Sequence, residues 1–179
     1  KMFMQFMHCG RIAHPLNRQI ADLPVAPSAV KPAGQMWTDQ QQMQDYPAPR
    51  ALETSELPVL IDEFVIAARN ARAAGFDGVE LHAANGYLLN QFLASNTNLR
   101  TDGYGTTVNG RIRFVVEVVE AVAAAIGAAR TGIRVSPGHM FNDLVDEDPL
   151  ATHRALLDAL PTAGMAFVHV MLPDRKSVV

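Results

Sequence analysis

"GVELHAANGYLLNQFL", Gly78 to Leu93, decides how this chain is read. Gly78 to His82 has the apolar character of a short strand, and residues 88 to 93 read as one or two turns of helix. Between them lies a polar turn carrying His82, Asn85 and Tyr87, three side chains that can each donate a hydrogen bond. A strand that ends in clustered donors and runs straight into a helix is one unit of a β/α fold with something to hold at its tip.

The same alternation extends outward in both directions. Upstream, Leu57, Leu60, Ile61, Phe64, Val65, Ala68 and Ala71 recur at helical spacing, with Thr54 as the expected N-cap and Gly75 as the stop. Further upstream, Met2 to Met7 reads as a buried strand broken only by Gln5. A long irregular segment, His8 to Arg50, follows that strand with six prolines and room for small hairpins. Downstream comes a polar loop, Ser95 to Gly110, then a Val-rich helix with Ile112, Val115, Val116, Val119, Ala123 and Ile126 on one face, ended by Gly127. "GIRVSP", Gly132 to Pro137, is the next strand. Asp148 and Pro149 open a third helix through Leu160, and Ala166 to Leu172 is the last strand.

The order β, long loop, α, β, α, β, α, β predicts parallel β/α packing, with strands apolar on both faces beneath covering helices. Neither GxGxxG nor GxxxxGK[ST] occurs, which disfavours a dinucleotide-binding sheet and favours a (β/α)8 barrel. A whole barrel takes about 250 residues, so four strands make roughly half of one. The chain has no initiator Met and starts inside a strand, so a single partial barrel over 1–179, with units expected before and after it, is the reading of its domain organisation.

Composition narrows the function classes. With 49% hydrophobic and 18% charged residues the chain is globular, and a net charge of −3 with mixed signs argues against nucleic-acid partners and a basic membrane patch. No apolar run approaches the roughly 18–20 residues of a membrane span. A single cysteine, Cys9, excludes an internal disulfide and points to a reducing, cytoplasmic setting.

In a barrel the chemistry sits at the C-terminal strand ends. Those ends offer Gln5 and His8, then His82 with Asn85 and Tyr87, then Arg134 and Ser136, then His169. Each has a plainer reading. His169 fits a rim residue, Arg134 fits a structural ion pair with Glu80, Gln5 is a buried polar group needing partners, and the His82–Tyr87 turn fits a polar surface loop. Other chemistries lack their parts. Lys1, Lys31 and Lys176 are not at strand ends, so a Schiff base is disfavoured. His8, Cys9 and His14 match no metal spacing. Glu80 is the only good candidate for a strand-end carboxylate pair, and Ser136 lacks a GxSxG setting. Neutral donors, one phenol and one Arg remain, a set suited to stabilising an anionic cofactor or an enolate.

Several ordered blocks resemble the Old Yellow Enzyme family of FMN-dependent ene reductases, closest to its bacterial N-ethylmaleimide reductase-like branch. "MQFMHCGR" is similar to that family's LQLWHxGR, and "PVAPSAV", "PRALETSEL", "AGFDGVELHAANGYLLNQFL", "SNTNLRTDGYG", "GIRVSP", "FND" and the final "PD" follow in the same order. The resemblance implies a (β/α)8 barrel represented here by about strands three to six. It implies FMN as cofactor, NAD(P)H as reductant, and a small activated alkene or nitro compound as substrate. His82 and Asn85 would then bond the substrate's activating oxygen, and Tyr87 would protonate the α carbon. Gln5 and Arg134 would contact the flavin, and Phe141 and Met7 would line the substrate pocket. The chemistry agrees: two fixed donors at a developing oxyanion form an oxyanion hole, and a phenol stays protonated at neutral pH.

Departures from the pattern are specific. Met7 stands where the family usually has Trp, which should widen the pocket. Thr106 and Thr107 follow Gly105 in place of Gly-Gly-Ser, and Gly110 replaces the usual Asn; a loop and a helix cap should affect stability rather than chemistry. The strands that grip the FMN phosphate have no counterpart here, and "RKSVV" does not match the family's continuation. Two open sheet edges then invite self-association. The alternatives are an inactive half-barrel and a related flavin reductase of dienoyl-CoA esters.

Overall fold

The computed structural model describes residues 1–18 and 22–172, and both the "PD" block and "RKSVV" lie outside them. In chain order the elements are strands β1 (Phe3–Phe6), β2 (Val25–Ala26), β3 (Gln35–Thr38), β4 (Gln42–Asp45) and β5 (Arg50–Ala51), helix α1 (Leu57–Ala73), strand β6 (Gly78–Ala83), helices α2 (Leu88–Leu93) and α3 (Val108–Ile126), strand β7 (Thr131–Val135), helix α4 (Pro149–Ala159) and strand β8 (Phe167–Val170).

The expected parallel sheet is present, in the order β1-β6-β7-β8, with every pair parallel. It is the four-stranded half of a (β/α)8 barrel. The irregular segment after β1 is more ordered than its prolines suggest. It holds the antiparallel hairpin β3–β4 and a short parallel ladder between β2 and β5.

Strand alternation separates two faces. Val79, Leu81, Ala83, Ile133 and Val135 form one core with Leu60, Phe64, Ala68 and Ala71 of α1 and Val115, Val118, Val119 and Val122 of α3. Valine is a modest helix former, yet α3 forms over 19 residues because four of its valines are fully buried there. The other face differs from expectation: it is not apolar throughout. Its lower layer holds the rings of Phe3 and Phe167, 5.1 Å apart and edge-on. Gly78 and Gly132 make room for them, since a Cβ would sit 2.3 Å from Phe3 and 2.6 Å from Phe167. Above that layer the residues become polar: Gln5 beside Glu80, then His82, Arg134 and His169 aligned across three strands.

Helix ends follow local chemistry. Gly75 (φ +96°) and Gly127 (φ +95°) stop α1 and α3 in conformations that favour glycine. Asp148 caps α4 by accepting from the Ala151 N–H at 2.9 Å, and Thr107 caps α3 by accepting from Gly110 at 3.1 Å. Thr54 is not a cap, contrary to the sequence reading. It lies inside a 3-10 turn, Thr54–Glu56, started by Glu53, whose side chain and that of Glu56 form a reciprocal capping box. Arg50 holds Glu56 through two bonds of 2.7 and 2.8 Å, which pulls the Glu56 carboxyl down to about 2.

Candidate active site

The turn from His82 to Tyr87 is held from three sides. The Ala84 N–H donates to His82 Nδ1 at 3.3 Å, and the Asn85 N–H donates to Ser136 Oγ at 2.9 Å from the end of β7. Asn85 sits at φ +58°, which Asn tolerates better than most residues. Gly86 follows at φ +78°, and a Cβ there would meet the Phe141 carbonyl oxygen at 2.6 Å. Only glycine fits that close approach.

Below the turn, α2 is anchored to the end of β1. The Leu88 N–H donates to the His8 carbonyl at 2.9 Å. The buried Gln91 side chain donates to the Gly86 carbonyl at 2.8 Å and the Cys9 carbonyl at 3.1 Å, and accepts from the Arg11 N–H at 3.2 Å. Arg11 is fully buried. It donates to the Val30 carbonyl at 3.2 Å and to the carbonyls of Asn142 and Asp143 at 3.0 and 2.7 Å. Those two residues are themselves left-handed, at φ +57° and +58°. Asn142 in turn donates to the Asn85 carbonyl at 2.7 Å. Arg11 therefore positions Asn85 through the Phe141–Asp143 turn.

His82 is buried, and its ring lies edge-on to Tyr87 with centroids 5.3 Å apart. Burial, reinforced by the Arg134 charge, pushes its pKa below the usual value, so it is neutral near pH 7. Because Nδ1 accepts from Ala84, the ring proton sits on Nε2, making it a neutral donor. Asn85 keeps Oδ1 buried without a partner. Tyr46, at the end of the β3–β4 hairpin, has its phenol pushed up by burial, then by the proximity of Tyr87 and Cys9.

The remaining candidates are placed as follows. Gln5 is not buried as the strand pattern suggested. It is exposed, and its Nε2 donates to Glu80. The plainer reading of Arg134, an ion pair with Glu80, does not hold: among the described residues Glu80 pairs with His169, Nδ1 to Oε1 2.9 Å. The cause is the register, which sets Arg134 beside His82 and His169 and sets Glu80 beside Gly132. Arg134 instead directs Nη2 at the Met171 thioether at 2.9 Å, a weak acceptor, and its Nε is buried without a partner. Met7 is 49% exposed at the end of β1. Phe141 is 54% exposed and stacks on His139 with centroids 5.2 Å apart, while its backbone carbonyl lies against Gly86.

Arg11, Gln91 and Tyr46 escaped the sequence reading. One usable signal was there: Asn90 and Gln91 interrupt an apolar helical run, and both are buried. Arg11 carried no periodic signal at all, because its partners are backbone carbonyls far away in sequence.

A site of this composition, a neutral imidazole donor, an amide and a phenol above a lone guanidinium, can polarise a carbonyl-like oxygen and deliver a proton beside it. The profile of the family described as NADH:flavin oxidoreductase / NADH oxidase matches residues 1–177. A Leishmania infantum protein described as a probable flavin mononucleotide-dependent alkene reductase is 44% identical over 177 residues, covering 97% of this chain and 48% of that protein. Morphinone reductase in complex with tetrahydroNAD superposes with a TM-score of 0.89 at 41% identity, over 95% of this chain and 48% of that one. The old yellow enzyme homologue from Zymomonas mobilis gives 0.89 at 38% identity, over 95% and 47%. The chain spans about half the length of the curated relatives it matches.

Proposed function

Since the chain belongs to the NADH:flavin oxidoreductase / NADH oxidase family, we propose that it forms the substrate-facing part of an FMN-dependent reductase. That enzyme draws on NAD(P)H to reduce the C=C bond of a small alkene activated by a carbonyl, imide or nitro group. The observation that carries this reading is the bond from the Ala84 N–H to His82 Nδ1 in the turn that also holds Asn85 and Tyr87. Because Nδ1 is occupied as an acceptor, the proton of the neutral ring falls on Nε2, next to the Tyr87 ring.

The residues present suit a flavin. Arg134 has a buried, unpartnered Nε and only a thioether on Nη2, so an electron-rich ring edge would complete its bonding. Gln5 is exposed on the same inner face. When bound, FMN supplies the hydride chemistry, and the protein supplies placement. His82 and Asn85 take up the charge that grows on the activating oxygen as the β carbon is reduced. Two such donors need no reorganisation during the reaction, which is where oxyanion stabilisation gains its size. Tyr87 transfers the phenolic proton to the α carbon, leaving the saturated product.

In this reading the whole protein completes the barrel, with β/α units before β1 and after β8 supplying the phosphate grip and covering both edges; otherwise self-association covers them. No helix of the described residues is long and apolar enough to cross a membrane, which is compatible with a cytoplasmic enzyme. The test is FMN titration into the intact protein by flavin absorbance and fluorescence, followed by NAD(P)H and 2-cyclohexenone. Bound flavin and enone-dependent NAD(P)H oxidation are expected. Flavin binding with no turnover of any enone, maleimide or nitroalkene would overturn the reading.

A further inference from the structure

Glu80 ties together strands of the inner face that are not neighbours in sequence. It stands beside Gln5 of β1 and Gly132 of β7, and its carboxylate reaches past Gly132 to β8. Oε1 lies 2.9 Å from His169 Nδ1, and Oε2 accepts from Gln5 Nε2. Only 12% of the Glu80 side chain is exposed, so the carboxylate needs partners, and it has two. Neither Glu80 nor His169 belongs to the donor set of the His82–Tyr87 turn.

The bond to Gln5 decides which end of that amide is left over. A carboxylate only accepts, so the Gln5 NH2 must face Glu80. A flipped amide would set its carbonyl oxygen against the carboxylate, two acceptors with no proton between them. Gln5 Oε1 makes no hydrogen bond among the described residues, and Gln5 is exposed, so Oε1 is the acceptor it offers to a ligand. Gln5 alone would rotate between the two orientations; Glu80 selects one. Arg134 completes the pattern. Both Glu80 oxygens are engaged, and among the described residues Arg134 has only the Met171 thioether. The inner face therefore offers an acceptor on β1 and a charged donor on β7.

On the reading that Gln5 and Arg134 face the flavin, we propose that Glu80 is a positioning residue for the cofactor, which locks the Gln5 amide so that its Oε1 accepts from the flavin N3–H. The pyrimidine edge of an oxidised flavin carries a single N–H, at N3, flanked by two carbonyl oxygens. An acceptor at Gln5 matches the N–H, and the Arg134 donors match an acceptor of the ring. Glu80 acts through Gln5. His169 holds its other oxygen, so the carboxylate cannot turn toward Arg134 without giving up a partner.

The test loads the intact protein with ¹⁵N-labelled FMN and follows the N3 proton by NMR, with FMN affinity read from flavin fluorescence. Glu80→Gln keeps the size but can turn either its NH2 or its carbonyl to Gln5, so the lock is lost. Its N3 proton should exchange with solvent at least about tenfold faster than the parent's, and FMN should bind up to about tenfold more weakly, the scale of one hydrogen bond. Gln5→Met should give the same N3 exchange, and adding Glu80→Gln to it should change neither readout further. In the FMN-free parent the Gln5 side-chain N–H protons should already exchange slowly, because the Glu80 bond precedes the flavin. Exchange there at the rate of an ordinary exposed amide would overturn the proposal even if Glu80→Gln fails to fold. An unchanged N3 proton in folded Glu80→Gln, the result for a carboxylate that only staples β1 to β8, would overturn it too, as would a further loss in the double variant. A parent that binds no FMN would instead overturn the flavin reading and this proposal together.

Discussion

Replacing Arg11 by Met separates the clamp from the chemistry. The guanidinium is fully buried and donates to three backbone carbonyls, those of Val30, Asn142 and Asp143. Met keeps the volume and the aliphatic stem but donates nothing. A hydrogen bond from a charged donor contributes roughly 1.5–3 kcal/mol, so three set an upper range of about 4.5–9 kcal/mol. Removing a buried cation returns part of that, because desolvation opposes it and already depresses the Arg11 pKa, with Asp143 only partly compensating. A net loss of about 3–5 kcal/mol is expected, or a Tm lower by roughly 6–20 °C for a unit of this size. The loss should concentrate at the Phe141–Asp143 turn, whose two left-handed residues lose their anchor, and so at Asn85, which Asn142 holds. Thermal melting with urea titration measures the first effect, and hydrogen exchange of the 139–146 loop measures the second. A Tm lowered by less than about 3 °C, or raised, would show that burying the cation costs as much as its bonds contribute, and the clamp argument would be refuted.

Three further outcomes follow from particular residues. His8, His82 and His153 all have pKa values pushed down by burial, so the unfolded chain binds more protons; stability should be full above about pH 6.5 and fall as pH drops toward their folded values. Glu56 and Asp102 are held low by Arg50 and Arg100 and lose their contribution only at more acidic pH, so a decline between pH 6.5 and roughly 5 in urea midpoints belongs to the histidines, and a flat profile there would contradict their burial. Thr106 is a β-branched residue at φ +62°, so Thr106→Gly should raise stability by about 0.5–1 kcal/mol, with kinetics unchanged; an unchanged or lower Tm would show that Thr106 is not strained. Met7→Trp should change the enantiomeric ratio of a prochiral enone's product, and an identical ratio in a chiral assay would remove Met7 from the pocket.

Much of the fold was legible because it is local. Periodicity marked α1 and α3, the Asp148–Pro149 start marked α4, and the apolar runs marked the four barrel strands to within a residue or two. Gly75, Gly127 and Asp148 were readable because caps depend on neighbours in sequence. The Glu53 start of the 3-10 turn was missed because an adjacent Thr is the commoner cap, and the reciprocal bond with Glu56 outweighed that preference. The partners of Arg134 and Gln5 were not legible, because register across strands decides them. One row places Gln5 by Glu80, the next places Arg134 by His82, and no local pattern fixes that offset. The turn holding His82, Asn85 and Tyr87 stood out from composition alone, but its tautomer needed the Ala84 contact, which exists only once the backbone folds back.

The most direct test of the central reading is Tyr87→Phe in the intact, FMN-loaded protein, comparing flavin bleaching by NAD(P)H with its reoxidation by 2-cyclohexenone in stopped flow. The substitution removes one hydroxyl and leaves the backbone bonds at position 87 untouched, both that donated to the Ala84 carbonyl and that accepted from Gln91. Bleaching at the parent's rate with enone reoxidation slowed by about 10²–10⁴ is predicted for loss of a general acid. Reoxidation at the parent's rate would mean that the α-carbon proton comes from elsewhere, and that the turn from His82 to Tyr87 does not do the chemistry assigned to it.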